Sequence, residues 1–143
     1  MKKKVLFLCT GNSCRSQMAE GWLRHLAGDR FDVVSAGTHP VGLNPYAVEV
    51  MREIDVDISN HVSEWVDPYF DQQFDYVITV CNQAQEACPI FPRTASMLHW
   101  SFEDPAKANG TYEQQVIVFR KIRDEIANQI RHFIAEEKRK EIK

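Results

Sequence analysis

Residues 5–16 read VLFLCTGNSCRS, and they contain the strongest signal of the fold. Its first four residues form a continuous apolar run, which is typical of a central parallel strand that is covered on both faces. The next eight residues, from Cys9 to Ser16, are mostly small or polar and lead directly into a helical pattern. The order of strand, tight loop and helix start predicts an α/β fold in which this loop follows a buried strand.

The rest of the chain alternates strand and helix patterns. Further strands are predicted at residues 33–36, 76–80 and 96–100. A long final helix is predicted because apolar side chains recur three or four positions apart, at Phe119, Ile122, Ile126, Ile130 and Phe133. These elements predict a small four-stranded parallel sheet flanked by helices, in one domain over residues 1–143.

Shorter helical signals complete the pattern. Asn44 and Pro45 suit the N-cap and first position of one helix, and a short helix is expected over residues 64–70. The charged residues 136–141 predict a solvated or frayed end of the last helix. Another helix follows the loop, with its apolar face at Met18, Trp22, Leu23 and Leu26.

Composition limits the classes of function. The chain has 143 residues, 44% of them hydrophobic, and a formal net charge of -3, which argues against a nucleic-acid partner. Its four cysteines are too few for a disulfide scaffold, and no apolar run reaches the ~18 residues of a membrane span. We therefore expect a cytoplasmic monomer with no nucleic-acid or membrane partner, in which the cysteines are reactive candidates.

The loop from Cys9 to Ser16 has the composition of an oxyanion site. A loop between a strand end and a helix start presents successive backbone N–H groups and the positive helix end to an anion. Gly11 permits the close, left-handed backbone that such a cradle requires, and the planar guanidinium of Arg15 suits two oxygens of a tetrahedral anion. The predicted oxyanion-binding residues are Thr10, Gly11, Asn12, Ser13, Cys14, Arg15 and Ser16.

Cys9 is the predicted nucleophile of this site, because the helix N-terminus and Arg15 favour its thiolate form. We expect Ser16 to donate its hydroxyl to that thiolate and Asn12 to brace the loop. The competing interpretation makes Cys9 a small buried residue at a strand end and Arg15 a surface cation. Cys14 has two interpretations, either packing against the sheet or protecting Cys9 through a reversible disulfide.

A proton donor is the remaining requirement. A thiolate that attacks a tetrahedral oxyanion needs its leaving oxygen protonated, which a positioned carboxylic acid can do. Asp104 is the candidate, because the following Pro105 keeps it extended and stiffens its loop. Glu103 is the alternative donor.

These motifs also resemble a known family. Residues 9–21, CTGNSCRSQMAEG, resemble the phosphate loop of the thioredoxin-coupled arsenate reductases, which share the fold of the low-molecular-weight protein tyrosine phosphatases. The resemblance runs along nearly the whole chain, and only the C-terminal end extends past the usual family end. Its other matches are residues 35–37, 44–45 and 57–61, Cys81, Cys88, and Asp104 with Pro105.

The resemblance implies that three cysteines reduce arsenate, or take up a phosphate-like oxyanion, in arsenic detoxification. Cys9 binds arsenate covalently, Cys81 attacks Cys9 as arsenite departs, Cys88 attacks Cys81, and thioredoxin reduces the final disulfide. It also assigns the general acid to Asp104. A helix over residues 82–87 would hold Cys81 and Cys88 too far apart for a disulfide, so it must unwind. Unrelated buried cysteines remain the alternative, and the histidine and cysteine spacings disfavour a metal site.

The resemblance further implies a potassium site beside the loop, although no tightly bound cofactor is expected. Relatives bind potassium there, and Asn12, Glu20 and Ser35 fall at the matching positions. Val62 and Glu64 replace the expected threonine and aspartate, so binding should be weakened. Glu20 as an ordinary helix-surface carboxylate is the alternative.

Two other functions compete with arsenate reduction. One is a low-molecular-weight tyrosine phosphatase, whose activity is also expected here as a weak side reaction. Ala106 and Lys107 follow the Asp-Pro pair without the aromatic pair that eukaryotic phosphatases often place there. The other is a redox-sensing or anion-binding module that switches a partner interface without turnover.

Overall fold

The structure, a computed structural model, describes residues 2–82, 91 and 94–142. The described residues form a four-stranded sheet in the order β2-β1-β3-β4, and every pair of neighbours is parallel. The α/β fold with a small parallel sheet is therefore confirmed. The strands are β1 (Lys3–Cys9), β2 (Phe31–Gly37), β3 (Phe74–Thr79) and β4 (Thr94–His99).

Helices pack against this sheet, and the sequence signals explain where they begin. The described residues contain α1 (Arg15–Ala27), α2 (Pro45–Arg52) and α3 (Tyr112–Ile142). The side chain of Asn44 accepts a hydrogen bond from the backbone N–H of Tyr46 at 2.8 Å, as an N-cap residue does, and Pro45 occupies the first helical position.

Strand β1 is buried on both faces, as its apolar run predicts. Val5 and Phe7 belong to the larger core cluster, which also contains residues of all three helices, and Leu6 and Leu8 belong to a second cluster with Val77. All four side chains of residues 5–8 are completely buried. A strand with two covered faces is central to its sheet, so the loop after Cys9 starts from a rigid support.

The segment 64–70 differs from its predicted helix. The structure has only a short 3₁₀ helix over Asp67–Asp71. Trp65 forms a parallel bridge with Gly37, in which the backbone N–H of Gly37 donates to Glu64 O at 2.8 Å and that of Val66 donates to Gly37 O at 3.0 Å. These bonds hold residues 64–66 extended against the end of β2, which excludes a helix there.

The charged C-terminal end is also more ordered than predicted. Helix α3 continues to Ile142, and Glu137 is only 1% exposed. Its carboxylate accepts hydrogen bonds from Lys3 Nζ at 2.7 Å, Tyr76 OH at 2.6 Å and Lys140 Nζ at 3.1 Å. Burial opposes ionisation, but these three donors hold the pKa of Glu137 below its usual value. Lys138 to Glu141 are exposed, as predicted for a solvated end. The prediction was wrong for Glu137, because it did not include these partners from β1 and β3. Leu26, predicted on the apolar face of α1, is 38% exposed in the last turn.

The topology brings two cysteine-bearing strand ends together. Strands β1 and β3 are neighbours, with Leu8 opposite Thr79. Beyond β3, the backbone N–H of Val80 still donates to Leu8 O at 3.1 Å. Because Cys9 follows Leu8 and Cys81 follows Val80, both cysteines leave the sheet at the same edge.

The described residues include no helix long and apolar enough to cross a membrane.

Candidate active site

The Cys9 sulfur is held by two hydrogen-bonding groups of its own loop. The backbone N–H of Asn12 donates to Cys9 Sγ at 3.2 Å, and Ser16 Oγ lies 3.0 Å from the same sulfur. Ser16 Oγ accepts a hydrogen bond from Asn12 Nδ2 at 2.8 Å, so its own hydrogen is available for Cys9. Donors directed at a buried sulfur stabilise its negative charge, as a thiolate nucleophile requires.

Asn12 determines the shape of the loop. It is completely buried and adopts a left-handed backbone with φ of 47°, which asparagine tolerates better than most residues. The sequence predicted this conformation for Gly11, which does not adopt it. Its Oδ1 accepts hydrogen bonds from Glu64 N at 2.9 Å and Gln17 Nε2 at 3.0 Å. Its backbone carbonyl accepts from Ser63 Oγ at 2.6 Å and from Gln17 Nε2 at 3.2 Å. These contacts fix the turn that directs the Asn12 N–H toward Cys9.

Gly37 allows another segment to approach the loop closely. A Cβ atom at this position would lie 2.5 Å from the carbonyl oxygen of Thr10 and 3.0 Å from the Asn12 nitrogen. Sequence reasoning included Gly37 only in the family match at residues 35–37. It also missed Gln17, His61 and Ser63, whose roles depend on contacts between α1 and the segment after α2. No local pattern around these residues signals such contacts.

Arg15 is the cation of the site. The residue is only 5% exposed at the first position of α1, and its Nη1 donates to the carbonyl oxygen of Phe102 at 3.1 Å. Its Nη2 lies 3.7 Å from Asp104 Oδ2. The loop that contains Phe102 and Asp104 thus positions the guanidinium beside the nucleophile loop, and the surface-cation interpretation of Arg15 does not fit this burial.

A pocket of about 290 Å³ contains the predicted nucleophile, cation and acid together. Asn12 and Ser16 do not line it, since both are completely buried and act through the Cys9 sulfur. Asp104 Oδ1 accepts from Ala106 N at 3.0 Å, which fixes the carboxyl at the pocket wall. Among the described residues, Glu103 is exposed and does not line the pocket. The lining residues are Cys9, Thr10, Gly11, Ser13, Cys14, Arg15, Val41, Asp104, Ala106 and Lys107.

Cys14 has an environment unlike that of Cys9. Burial raises the pKa of Cys14 to about 12, so it stays a neutral thiol near neutral pH. Its Sγ lies 3.7 Å from Ser13 Oγ. A buried protonated thiol is a poor nucleophile, which favours packing over a protective disulfide with Cys9.

The other two cysteines are only partly described. Cys81 is completely buried and takes part in a disulfide, whereas Cys9 and Cys14 are free thiols. Cys88 lies outside the described residues, as does all of the predicted helix 82–87 except Asn82. The order of thiol attacks and the unwinding of that helix therefore stay predictions.

The three predicted potassium ligands lie together but are already bound to one another. Asn12 Nδ2 donates to Ser35 Oγ at 2.9 Å, and Ser35 Oγ donates to Glu20 Oε1 at 2.6 Å. Arg24 Nη2 donates to Glu20 Oε2 at 2.6 Å. The amide oxygen of Asn12 already accepts two hydrogen bonds. This donor set does not fit a bound cation without rearrangement, and the described residues contain no cluster of three or more His, Cys, Asp or Glu for a metal ion.

His61 links this network to Gln17, the third residue of α1. Its Nε2 lies 3.2 Å from Arg24 Nη1, which can only donate, so the neutral ring carries its hydrogen on Nδ1. That hydrogen is donated to Gln17 Oε1 at 2.9 Å. Burial lowers the pKa of His61; the nearby Glu20 carboxylate opposes this shift and Arg24 adds to it. The network therefore requires the neutral ring.

We expect acid to destabilise the protein partly through His61. The His61 pKa is lower in the folded chain than in the unfolded chain, so the unfolded chain takes up the proton first as pH falls. The contribution of the neutral ring to the free energy of unfolding is fully present above the unfolded-chain pKa of about 6.5. That contribution is lost as pH falls through the folded-chain pKa. Urea unfolding at neutral and mildly acidic pH should show a smaller loss of unfolding free energy in His61→Gln than in wild type. The exposed His25→Gln is the control, and an unchanged pH dependence in His61→Gln would contradict the assignment.

Known proteins resemble this chain in sequence and in fold. Residues 4–143 match the family described as low molecular weight phosphotyrosine protein phosphatase. An arsenate reductase of Halalkalibacterium halodurans is 51% identical over 132 residues, 92% of this chain and 95% of that protein. The solved structure of an arsenate reductase in the phosphate binding state superposes with a TM-score of 0.80 at 32% identity, covering 95% of this chain and 98% of the other. A thioredoxin-dependent arsenate reductase of Corynebacterium glutamicum gives a TM-score of 0.69 at 28% identity, over 94% of this chain and 61% of the other. The chain therefore belongs to the low molecular weight phosphotyrosine protein phosphatase family, and its 51% identical relative is an arsenate reductase.

Proposed function

We propose that this protein is an arsenate reductase that converts arsenate to arsenite with Cys9, Cys81 and Cys88. The observation that carries the proposal is the position of two cysteines at one edge of the sheet. Cys9 follows Leu8, Cys81 follows Val80, and the backbones of Leu8 and Val80 are hydrogen-bonded at 3.1 Å. A phosphatase needs only the first cysteine, whereas reduction needs a second thiol close to the first.

The first step binds and attacks the oxyanion. Loop N–H groups and Arg15 hold arsenate, a tetrahedral anion of the phosphate type, in the pocket. The Cys9 thiolate forms a sulfur–arsenic bond while one arsenic–oxygen bond breaks. Asp104 protonates the departing oxygen, which leaves as water. The position of Asp104 in the wall of the pocket that contains Cys9 supports this role.

The second step transfers two electrons to arsenic. The Cys81 thiolate attacks Cys9 Sγ, a disulfide forms, and the electron pair of the sulfur–arsenic bond stays on arsenic, which leaves as arsenite. Cys88 then attacks Cys81, which frees the Cys9 thiolate and leaves a Cys81–Cys88 disulfide. A disulfide at Cys81 beside a free Cys9 thiol, as in the structure, is the state expected after this step.

A cellular dithiol must reduce the final disulfide. We infer that this reductant is thioredoxin, as the name of the Corynebacterium glutamicum relative states for that protein.

The inference also places the enzyme in the cytoplasm, where such reductants keep thiols reduced. Because the thiols supply both electrons, the cycle needs no tightly bound redox cofactor, and the compact site is complete within a monomer.

Weak phosphatase activity is the second candidate function. Hydrolysis of a phosphate ester needs a nucleophile, a cation and an acid, and the pocket offers Cys9, Arg15 and Asp104 for these roles. The family match also supports a phosphatase activity. Ala106 and Lys107 line the pocket beside Asp104 and offer no aromatic surface for a phenyl ring.

Substitution of single cysteines separates the two activities. We expect Cys9→Ser, Cys81→Ser and Cys88→Ser each to abolish arsenate-dependent NADPH oxidation in the presence of thioredoxin and thioredoxin reductase. Only Cys9→Ser should abolish hydrolysis of an aryl phosphate, because the phosphatase cycle uses no second thiol. The retained hydrolysis also reports that the Cys81 and Cys88 variants are folded. Full reductase turnover in Cys88→Ser would contradict the relay.

Asp104→Asn tests the proton donor. The amide can still accept the hydrogen bond from Ala106 N but has no acidic proton, so kcat should fall by about 100-fold or more. Glu103→Gln is the matched control and should retain the wild-type kcat. Steady-state kinetics with saturating arsenate and thioredoxin measure both. An equal loss in Glu103→Gln, or none in Asp104→Asn, would move the acid elsewhere.

A further inference from the structure

Arg24 forms hydrogen bonds with three groups: the Glu20 carboxylate, the Val33 carbonyl oxygen and the His61 ring. It lies on α1 one turn after Glu20, and its Nη2 donates to Glu20 Oε2 and to the carbonyl oxygen of Val33, both at 2.6 Å. Its Nη1 donates to His61 Nε2 at 3.2 Å. The Glu20 side chain is only 12% exposed, so this carboxylate depends on a nearby positive charge.

One branch of hydrogen bonds leads from Arg24 through Glu20 to the nucleophile. Ser35 Oγ donates to Glu20 Oε1 at 2.6 Å, and Asn12 Nδ2 donates to Ser35 Oγ at 2.9 Å. The same Asn12 amide donates to Ser16 Oγ, which contacts Cys9 Sγ. Asn12 Nδ2 can only donate, so Ser35 Oγ accepts from it and has its own hydrogen available for the Glu20 carboxylate.

A second branch leads from Arg24 through His61 to the same asparagine. Because His61 Nε2 accepts from Arg24, its Nδ1–H donates to Gln17 Oε1 at 2.9 Å. This bond orients the Gln17 amide so that its Nε2 donates to Asn12 Oδ1 at 3.0 Å and to Asn12 O at 3.2 Å. Both branches therefore converge on Asn12, the left-handed residue whose N–H donates to Cys9.

We propose that Arg24 is a positioning residue whose guanidinium acts as a built-in cation for the Cys9 loop, in place of a bound monovalent cation. It neutralises Glu20 and fixes His61, and through them it holds Asn12. A bound potassium ion attracts oxygen atoms without a fixed direction and can leave the protein. The guanidinium of Arg24 donates hydrogen bonds to several acceptors at fixed angles and is covalently part of the chain. The hydrogen bonds that already engage Asn12, Glu20 and Ser35 agree with this assignment.

The space beside this network explains what its loss would allow. An open cavity of about 300 Å³ is lined by Glu20, Ser35, His61, Glu64, Tyr69 and neighbouring residues. Tyr69 OH donates to Glu64 Oε2 at 2.6 Å. Burial, and to a smaller extent this hydrogen bond, raises the pKa of Tyr69 above its usual value, so Tyr69 adds no charge. Without Arg24, the Glu20 carboxylate would border this cavity with its counter-charge removed. A hydrated monovalent cation could then enter and replace it.

The test compares Arg24→Gln and Arg24→Lys with wild type, in potassium chloride and in choline chloride of equal ionic strength. Arg30→Gln is the matched control, because Arg30 pairs with Glu141 at 3.2 Å, outside this network. The readouts are the thermal unfolding midpoint and the rate of Cys9 alkylation by iodoacetamide, followed by peptide mass spectrometry. The proposal rests on Cys9 as the nucleophile of the proposed function, but neither readout needs arsenate turnover, so the two can fail separately.

We expect wild type and Arg30→Gln to give the same midpoint and alkylation rate in both salts. Arg24→Gln in choline should alkylate Cys9 roughly tenfold more slowly, as loss of a supporting partner does, and potassium should restore much of the rate and raise the midpoint. Arg24→Lys should stay closer to wild type, because it keeps the positive charge.

Three results would overturn the proposal. A potassium-specific rise in the wild-type midpoint would show that the cation site is open despite Arg24, and this measurement decides even if Arg24→Gln fails to fold. An unchanged alkylation rate in Arg24→Gln would remove Arg24 from the positioning of Cys9. A slowed rate that potassium does not restore would show that Arg24 does not stand in for a cation.

Discussion

The hydrogen bond from the Asn12 backbone N–H to Cys9 Sγ is the constraint on which the site depends. It exists because Asn12 adopts a left-handed conformation that directs its N–H back toward the strand end. That conformation is held by side chains from α1 and from the segment after α2, and by the close approach that Gly37 permits. The Cys9 loop is thus positioned by packing between elements far apart in the chain.

The parallel sheet adds the chemistry that distinguishes reduction from hydrolysis. A buried central strand supports the oxyanion loop, and its neighbour β3 ends at the same edge, where Cys81 follows. Arg15 and Asp104 come from the helix start and from the loop after β4, so the proposed cation, acid and nucleophile line one pocket. The second cysteine follows the strand next to the first, which allows a disulfide relay without a cofactor.

Local patterns in the sequence were sufficient for the strands, the loop and the reactive cysteine. Val5 to Leu8 predicted a buried strand because apolar character on both faces is a short-range signal, and Asn44 with Pro45 predicted a helix start. The supporting residues were not predictable in this way. Gln17, His61 and Ser63 act through contacts across tens of residues, and the burial of Glu137 depends on partners from β1 and β3. Residues 64–66 are extended and not helical as predicted, because Trp65 forms a β-bridge with Gly37. A contact between segments this far apart leaves no local periodicity in the sequence.

The central claim is that Cys81, just beyond the neighbouring strand, attacks Cys9 Sγ at the end of β1 and releases the arsenic bound there as arsenite. The most direct measurement is peptide mapping by mass spectrometry of Cys88→Ser after acid quenching of a single turnover with arsenate. The account predicts one Cys9–Cys81 disulfide for each arsenite released. Arsenite release with Cys81 still reduced, or with Cys9 joined to Cys14 instead, would contradict it.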